Sequence, residues 1–263
     1  MPFIEQNGRR TNYRWDGPES APALVFSNSL GTQLSMWDAQ IPGLSKSFHV
    51  LRYDTRGMGL STRNDAPNTI AGLATDVVEL LDALSIPRAH FCGLSMGGAI
   101  GIWLGVNAPE RFDSFVLCNT AARIGTVDTW NTRIAKVREG GMAGLTEAIL
   151  DRWFTQSFAQ RAPESIATMR RMLLAAPPES YIACCQALRD IDQRQTVSRI
   201  RSRTLIVSGA HDAVTPPSDA HFLESQIAGA RYVELDASHI SNIEAAADFT
   251  AAVQHFLSAK EKN

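Results

Sequence analysis

Short apolar runs alternate with amphipathic segments along most of this 263-residue chain, and this alternation limits the fold more than any other feature. In segment 69–84, apolar residues recur every three or four positions, which predicts a helix. Further helices are predicted over 35–45, 217–227 and 242–257 and directly after Ser95. Six apolar runs are predicted strands: 23–26, 48–53, 89–92, 114–118, 204–208 and 231–235. Such alternation favours a mostly parallel sheet with helices on both faces.

Two parts of the chain depart from this alternation. Segments 3–6 and 10–15 are joined by Asn7-Gly8, a pair that suits a tight hairpin turn, which adds two antiparallel strands at one edge of the sheet. After Asn119 only helices are predicted, over 129–139, 145–155, 163–174 and 178–189. The sequence therefore predicts an α/β fold with an eight-stranded, mostly parallel sheet. We expect residues 1–120 and 201–263 to form its core and residues 121–200 to form a helical cap.

Composition excludes several classes of function. The net charge is −2, and no basic cluster suggests binding to nucleic acid. No apolar run approaches the ~18 residues of a membrane-spanning helix, and the N-terminus lacks the apolar core of a signal peptide, so a cytoplasmic protein is expected. The four cysteines lie in predicted strands or side by side in a helix, without the paired spacing of a zinc site. We expect buried, reduced thiols and no bound metal.

One serine lies where a predicted strand turns into a helix. The local sequence is Gly93-Leu94-Ser95-Met96-Gly97, the GxSxG pattern. A serine at such a turn has a strained backbone, and glycines two residues to either side remove the collisions that side chains would cause. The turn exposes the Ser95 hydroxyl and places the Met96 amide at a helix N-terminus, where it can meet negative charge. Ser95 is therefore a candidate nucleophile, and Met96 is a candidate donor to an oxyanion.

A serine nucleophile needs a base, and the base needs a group that orients it. Of six histidines, His49 and His90 lie in predicted strands, His221 and His255 on predicted helices, and His211 in a turn directly before a carboxylate. His239 follows the last predicted strand and is the expected base. Asp212 follows the strand at 204–208 and is the expected acid. Asp236 is too close in sequence to His239 to reach around its ring, and segment 119–122 offers no acid.

The order Ser95, Asp212, His239 is similar to that of the α/β-hydrolases, and the chain resembles this family from end to end. The resemblance implies that a second oxyanion donor lies in the turn after strand 23–26. This turn reads Ser27-Asn28-Ser29-Leu30-Gly31-Thr32, and Leu30 aligns with the donating residue. Asn28-Ser29 replaces the His-Gly pair that is usual in the family.

This turn, together with segments 36–40, 53–61 and 93–98, resembles the 3-oxoadipate enol-lactonases over nearly the whole chain. The resemblance implies hydrolysis of a small anionic lactone in the bacterial β-ketoadipate route of aromatic breakdown, without a cofactor. The residues alone indicate only acyl transfer to water. Three alternatives stay open: a carbon–carbon bond hydrolase of ring-cleavage products, a general carboxylesterase or perhydrolase, and a ligand receptor on a hydrolase scaffold.

The charge of the cap gives a separate indication. Residues 121–200 carry eleven Lys and Arg against eight Asp and Glu, whereas the rest of the chain is negative. An anionic lactone needs a cation or donor over the site. Trp130 and Arg133 are the candidate substrate-binding residues, whereas Arg56 is expected to bond nearby carbonyls. The sequence leaves a homo-oligomer open.

Overall fold

A computed structural model describes residues 2–64 and 66–259. Within them, eight strands form one sheet in the order β1-β2-β4-β3-β5-β6-β7-β8. The strands are β1 (Phe3–Gln6), β2 (Arg9–Asp16), β3 (Ala23–Ser27), β4 (His49–Tyr53), β5 (Ala89–Leu94), β6 (Phe112–Cys118), β7 (Arg203–Gly209) and β8 (Arg231–Leu235). Strands β1 and β2 pair antiparallel, as do β2 and β4, and the remaining pairs are parallel. The predicted sheet with its N-terminal hairpin at one edge is confirmed.

Helices connect the parallel strands. The α-helices are α1 (Ile41–Leu44), α2 (Ile70–Ala83), α3 (Met96–Asn107), α4 (Val127–Gly140), α5 (Ala143–Trp153), α6 (Gln156–Arg161), α7 (Pro163–Ala175), α8 (Pro178–Asp190), α9 (Pro217–Gln226), α10 (Ser241–Glu244) and α11 (Ala246–Ser258). Helix α2 is capped at its N-terminus by Thr69, whose side chain accepts a hydrogen bond from the Gly72 amide. The helix buries the face that carries its regularly spaced apolar residues.

Two predicted helices are broken in the structure. The single helix expected over 35–45 is a 3₁₀ turn at Leu34–Trp37 followed by the four-residue α1. Pro42 explains the break, because proline inside one continuous helix would lose an amide donor and collide with the preceding turn. The last helix, expected over 242–257, is divided into α10 and α11 at Ala245, whose φ of −118° and ψ of 48° are not helical.

The chain between β6 and β7 is helical, as expected. It contains α4 to α8, and thus one short helix, α6, more than the four predicted. Helix α4 packs on both α5 and α8, and α5 packs on α7. The assignment of residues 121–200 to a separate cap stays a prediction.

No helix within residues 2–64 and 66–259 combines the length and the apolar character needed to cross a membrane.

Candidate active site

Ser95 occupies a strained turn between β5 and α3. Its backbone has φ 58° and ψ −114°, outside the regions that non-glycine residues favour. The Ser95 amide donates to the Cys118 carbonyl at 2.9 Å, and the Thr120 hydroxyl donates to the Ser95 carbonyl at 2.8 Å. Two bonds to the neighbouring strand end therefore hold this conformation.

The glycines around Ser95 are required by close backbone contacts. A Cβ atom on Gly93 would collide with the Gly97 carbonyl, and one on Gly97 would collide with the Ser27 carbonyl. Because both obstacles are backbone, neither can move without displacing the turn. This agrees with the reason inferred from the sequence for the two glycines.

We expect Gly97→Ala to lower the free energy of unfolding by at least about 2 kcal/mol, because the added methyl group forces β3 and α3 apart. Urea unfolding of the purified variant measures this. Gly144→Ala is the matched control, since Gly144 lies on a helix with open space where its Cβ would be. An unfolding free energy of Gly97→Ala equal to that of wild type would contradict the prediction.

Asp212 and His239 form a buried hydrogen-bonded pair. Asp212 Oδ2 lies 2.8 Å from His239 Nδ1, and both side chains are shielded from solvent. The other carboxylate oxygen accepts the backbone N–H groups of Val214 at 2.7 Å and Thr215 at 3.0 Å. The Thr215 hydroxyl donates to Asp212 Oδ2 at 2.8 Å. The aspartate is therefore held rigidly behind the imidazole, as expected of the acid in a catalytic triad.

Burial alone would raise the pKa of Asp212, but His239 and the hydrogen bonds lower it to about 2. Because folding lowers this pKa from 3.8, the ionised carboxylate stabilises the fold at higher pH. This contribution, about 2 kcal/mol by linkage, is lost as the pH falls from about 4 towards about 2.

We therefore expect the destabilisation caused by Asp212→Asn to be larger at pH 6 than at pH 3. Urea unfolding of wild type and variant at both pH values measures the difference. The same loss of unfolding free energy at both values would show that ionisation of Asp212 does not support the fold.

Asn119, which sequence reasoning passed over as a non-acid, connects three loops. Its Nδ2 donates to Asp212 Oδ2 at 3.0 Å and to the Ser238 carbonyl at 3.2 Å, and its Oδ1 accepts the Ser241 hydroxyl at 2.5 Å. Its neighbours in the chain, Cys118 and Thr120, hold Ser95. In the sequence, the only indication of this role was the position of Asn119 directly after a predicted strand.

These groups meet because their strands are neighbours. Ser95, Asn119, Asp212 and His239 follow β5, β6, β7 and β8, which lie side by side. The carboxyl ends of parallel strands share one edge, where loops place functional groups. Among the described residues, Ser95 Oγ makes no hydrogen bond to the His239 ring. Such a contact is commonly long before substrate binds and tightens only in the complex, so its absence here does not argue against catalysis.

The turn after β3 is held against the start of α3. The Asn28 carbonyl accepts the Gly97 amide at 3.0 Å. The Asn28 side chain donates to the Tyr53 carbonyl at 2.8 Å and accepts the Trp37 indole N–H at 2.9 Å. Asn28 thus fixes the turn in the place of the usual histidine. Within residues 2–64 and 66–259, the N–H groups of Leu30 and Met96 have no protein acceptor, so both are available to an oxyanion.

Trp130 and Arg133 line a common cavity of about 150 Å³ with Arg152 and Val214. The Arg133 guanidinium carbon lies 5.2 Å from the centre of the Trp130 ring, and the indole N–H donates to the Ile124 carbonyl at 2.6 Å. Val214 belongs to the Asp212 loop, so the cavity adjoins that loop. The structure thus brings the two candidate binding residues together beside the loop of Asp212.

The loop that carries His239 is bonded to the helical segment. Glu244, buried although acidic, accepts the Ser238 amide at 2.9 Å and also the Thr155 hydroxyl. The Ile240 amide donates to the Trp153 carbonyl at 3.1 Å. Sequence reasoning missed Glu244, because nothing local distinguishes it from a solvent-exposed helical glutamate.

Further sequence predictions concern Arg56, the four cysteines and a metal site. Arg56 forms two bonds to the Asp76 carboxylate, at 2.8 and 2.5 Å, instead of the expected bonds to carbonyls. All four cysteines are free and buried. Within the described part of the chain, no cluster of three or more His, Cys, Asp or Glu side chains could hold a metal ion.

Comparison with known proteins identifies the family. Residues 22–246 match the model of the alpha/beta hydrolase fold family. The chain is 43% identical to 3-oxoadipate enol-lactonase 2 of Acinetobacter baylyi and 39% identical to enol-lactonase 1 of the same species, each over 92% of this chain and 91% of the relative. The crystal structure of the enol-lactonase from Burkholderia xenovorans LB400 superposes with a TM-score of 0.96 at 47% identity, covering 98% of this chain and 100% of that chain. The chain therefore belongs to the α/β-hydrolase family and, within it, to the family of 3-oxoadipate enol-lactonases.

Proposed function

We propose that this protein hydrolyses 3-oxoadipate enol-lactone to 3-oxoadipate, with Ser95 as nucleophile, His239 as base and Asp212 as the group that orients the base. The buried Asp212–His239 pair, at the same sheet edge as the strained Ser95 turn, carries the proposal. The names of the relatives support the choice of substrate. The reaction would belong to the β-ketoadipate route of aromatic breakdown.

In the first step, His239 Nε2 accepts the hydroxyl proton of Ser95, and the Ser95 oxygen attacks the lactone carbonyl. Asp212 holds the proton on Nδ1, so that Nε2 is free to act as base, and stabilises the imidazolium that forms. The N–H groups of Leu30 and Met96 donate to the carbonyl oxygen as it becomes negative. Loss of one such donor typically lowers the rate by roughly 10²- to 10³-fold.

In the second step, the carbonyl re-forms and the ring C–O bond breaks. The ring oxygen leaves as an enolate, which takes up at carbon the proton that His239 had accepted from Ser95 and so becomes a ketone, and His239 is neutral again. An enolate is a better leaving group than a simple alkoxide, so its departure demands less from the general acid. Water, deprotonated by His239, then attacks the ester carbonyl on Ser95. His239 returns this proton to the Ser95 oxygen as the ester bond breaks, which releases the dicarboxylate product. Each step uses only side chains and backbone N–H groups of this chain and water.

The positive helical segment supports an anionic substrate. Arg133, beside the Trp130 ring, is the residue that we expect to bind the carboxylate of a small anionic lactone. Residues 121–200 would then act as a cap over the site. The cytoplasmic location and a homo-oligomer stay predictions.

A panel of three substrates tests the proposal. We expect kcat/KM to be highest for the enol lactone. The values for a carboxylate-bearing vinylogous diketone and for short p-nitrophenyl esters should both be lower. Product formation can be followed by loss of the enol-lactone absorbance. Dominance of the diketone would instead identify a carbon–carbon bond hydrolase, and ligand binding without turnover would identify a receptor.

A further inference from the structure

Two arginines from different helices face the same small cavity without an acidic partner. Arg133 on α4 and Arg152 on α5 both line the cavity of about 150 Å³ beside the Asp212 loop. Arg133 Nη1 lies 3.3 Å from the Tyr181 hydroxyl, and Arg152 Nη2 lies 2.7 Å from the Ala213 carbonyl. Both of these partners are neutral. Within the described ranges, neither guanidinium forms an ion pair.

Four other arginines of the same helical segment are neutralised, whereas the rest of them do not line this cavity. Arg123 and Arg194 pair with Asp192, Arg170 pairs with Glu147, and Arg189 pairs with Asp190. The segment therefore has acids available for pairing, and none of them is placed at this cavity. The positive charge at the cavity therefore comes from two unpaired arginines and does not merely reflect the net charge of the whole segment.

The positive charges of Arg133 and Arg152 repel each other. Burial lowers the pKa of the Arg152 guanidinium, and the nearby Arg133 lowers it further, whereas Asp212 acts in the opposite direction. Like charges that face a small, partly buried cavity cost free energy, which a bound anion recovers. A planar guanidinium presents paired N–H donors that match the two oxygens of a carboxylate.

Arg152 is also fixed to the catalytic loops. Its side chain donates to Ala213, the neighbour of Asp212. Its backbone carbonyl accepts the hydroxyl of Ser238, the neighbour of His239, at 3.1 Å. An anion held by Arg152 therefore has a defined position relative to the acid and the base.

We propose that Arg133 and Arg152 together bind one carboxylate of the substrate, and that Arg152 is thereby a specificity-determining residue that selects acyl substrates with a second, anionic end. The inference rests on the proposed function, since it assumes that Ser95 turns over esters. The cavity, of about 150 Å³, has room for a small carboxylate head group.

The test compares two esters that differ only in this charge, mono-4-nitrophenyl succinate and its methyl ester. We expect wild type to have the higher kcat/KM for the anionic ester. Arg152→Met should lower the ratio of the two kcat/KM values about 10- to 100-fold, mainly through the KM of the anionic ester. Arg152→Lys keeps the charge but not the paired donors, and should give an intermediate ratio.

Arg138→Met is the matched control, because Arg138 is an exposed arginine on the same helix as Arg133 and does not line the cavity. Its ratio should equal that of wild type. An equal loss of both ester activities in Arg152→Met would indicate a merely structural role and overturn the inference, as would a wild type without preference for the anionic ester. Cleavage of both succinate esters without cleavage of the enol lactone would refute the proposed substrate and leave the carboxylate site standing.

Discussion

Ser95→Ala is expected to lower kcat for the enol lactone by about 10⁴- to 10⁶-fold, because removal of the nucleophile abolishes the acyl-enzyme route. The fold should be retained, since the Ser95 contacts in the structure are made by its backbone amide and carbonyl. The residual rate would come from the oxyanion donors and from positioning of the substrate.

Pre-steady-state burst measurements separate this expectation from a mere loss of binding. With an excess of p-nitrophenyl ester, wild type should release a burst of one equivalent of nitrophenol and gain the acyl mass on the peptide that contains Ser95. Ser95→Ala should show neither. Ser225→Ala, a change of an exposed helical serine, should behave as wild type. Turnover of Ser95→Ala near the wild-type rate would refute the whole mechanism.

Asp212→Asn is expected to lower kcat by about 10⁴-fold through the tautomer of His239. The backbone N–H groups of Val214 and Thr215 both point at Oδ1, so the new side chain must keep its oxygen there. Its NH₂ group then takes the place of Oδ2 and donates to His239 Nδ1. The ring proton moves to Nε2, and the imidazole can no longer accept the proton of Ser95.

The control for this variant is Asp236→Asn. Asp236 is highly exposed and contacts His211 on the surface at 2.9 Å. We expect its kcat to equal that of wild type, in agreement with the choice of Asp212 over Asp236 as the acid. Retention of kcat by Asp212→Asn together with its loss in Asp236→Asn would reverse the assignment of the acid.

The sheet and the proposed catalytic residues could be predicted because each depends on a local pattern. Ser95, Asp212 and His239 each follow an apolar run that could be assigned to a strand, and parallel strands bring their ends together. The breaks in two of the predicted helices were missed for a different reason. At 35–45 the proline was visible in the sequence. However, Leu34 and Trp37 are held by hydrogen bonds to Asp54 and Asn28, and the spacing of apolar residues does not reveal such contacts.

The supporting groups could not be predicted because they act over long sequence distances. Asn119 joins residues more than ninety positions away, and Glu244 bonds Thr155 across a comparable separation. A buried asparagine or glutamate has no periodicity that distinguishes it from an exposed one. Arg152 was equally hidden among the arginines of the helical segment, since only the folded chain shows which of them lack an acid.

The bonds from Trp153 and Thr155 to the loop of His239 limit how this scaffold can evolve. The stretch from the end of α5 to Thr155 cannot be replaced freely, because it is bonded to the loop that carries the proposed base and to α10, the helix that follows this loop. Transplanting a foreign helical segment between β6 and β7 should therefore preserve turnover only if the graft junctions leave residues 152–155 in place.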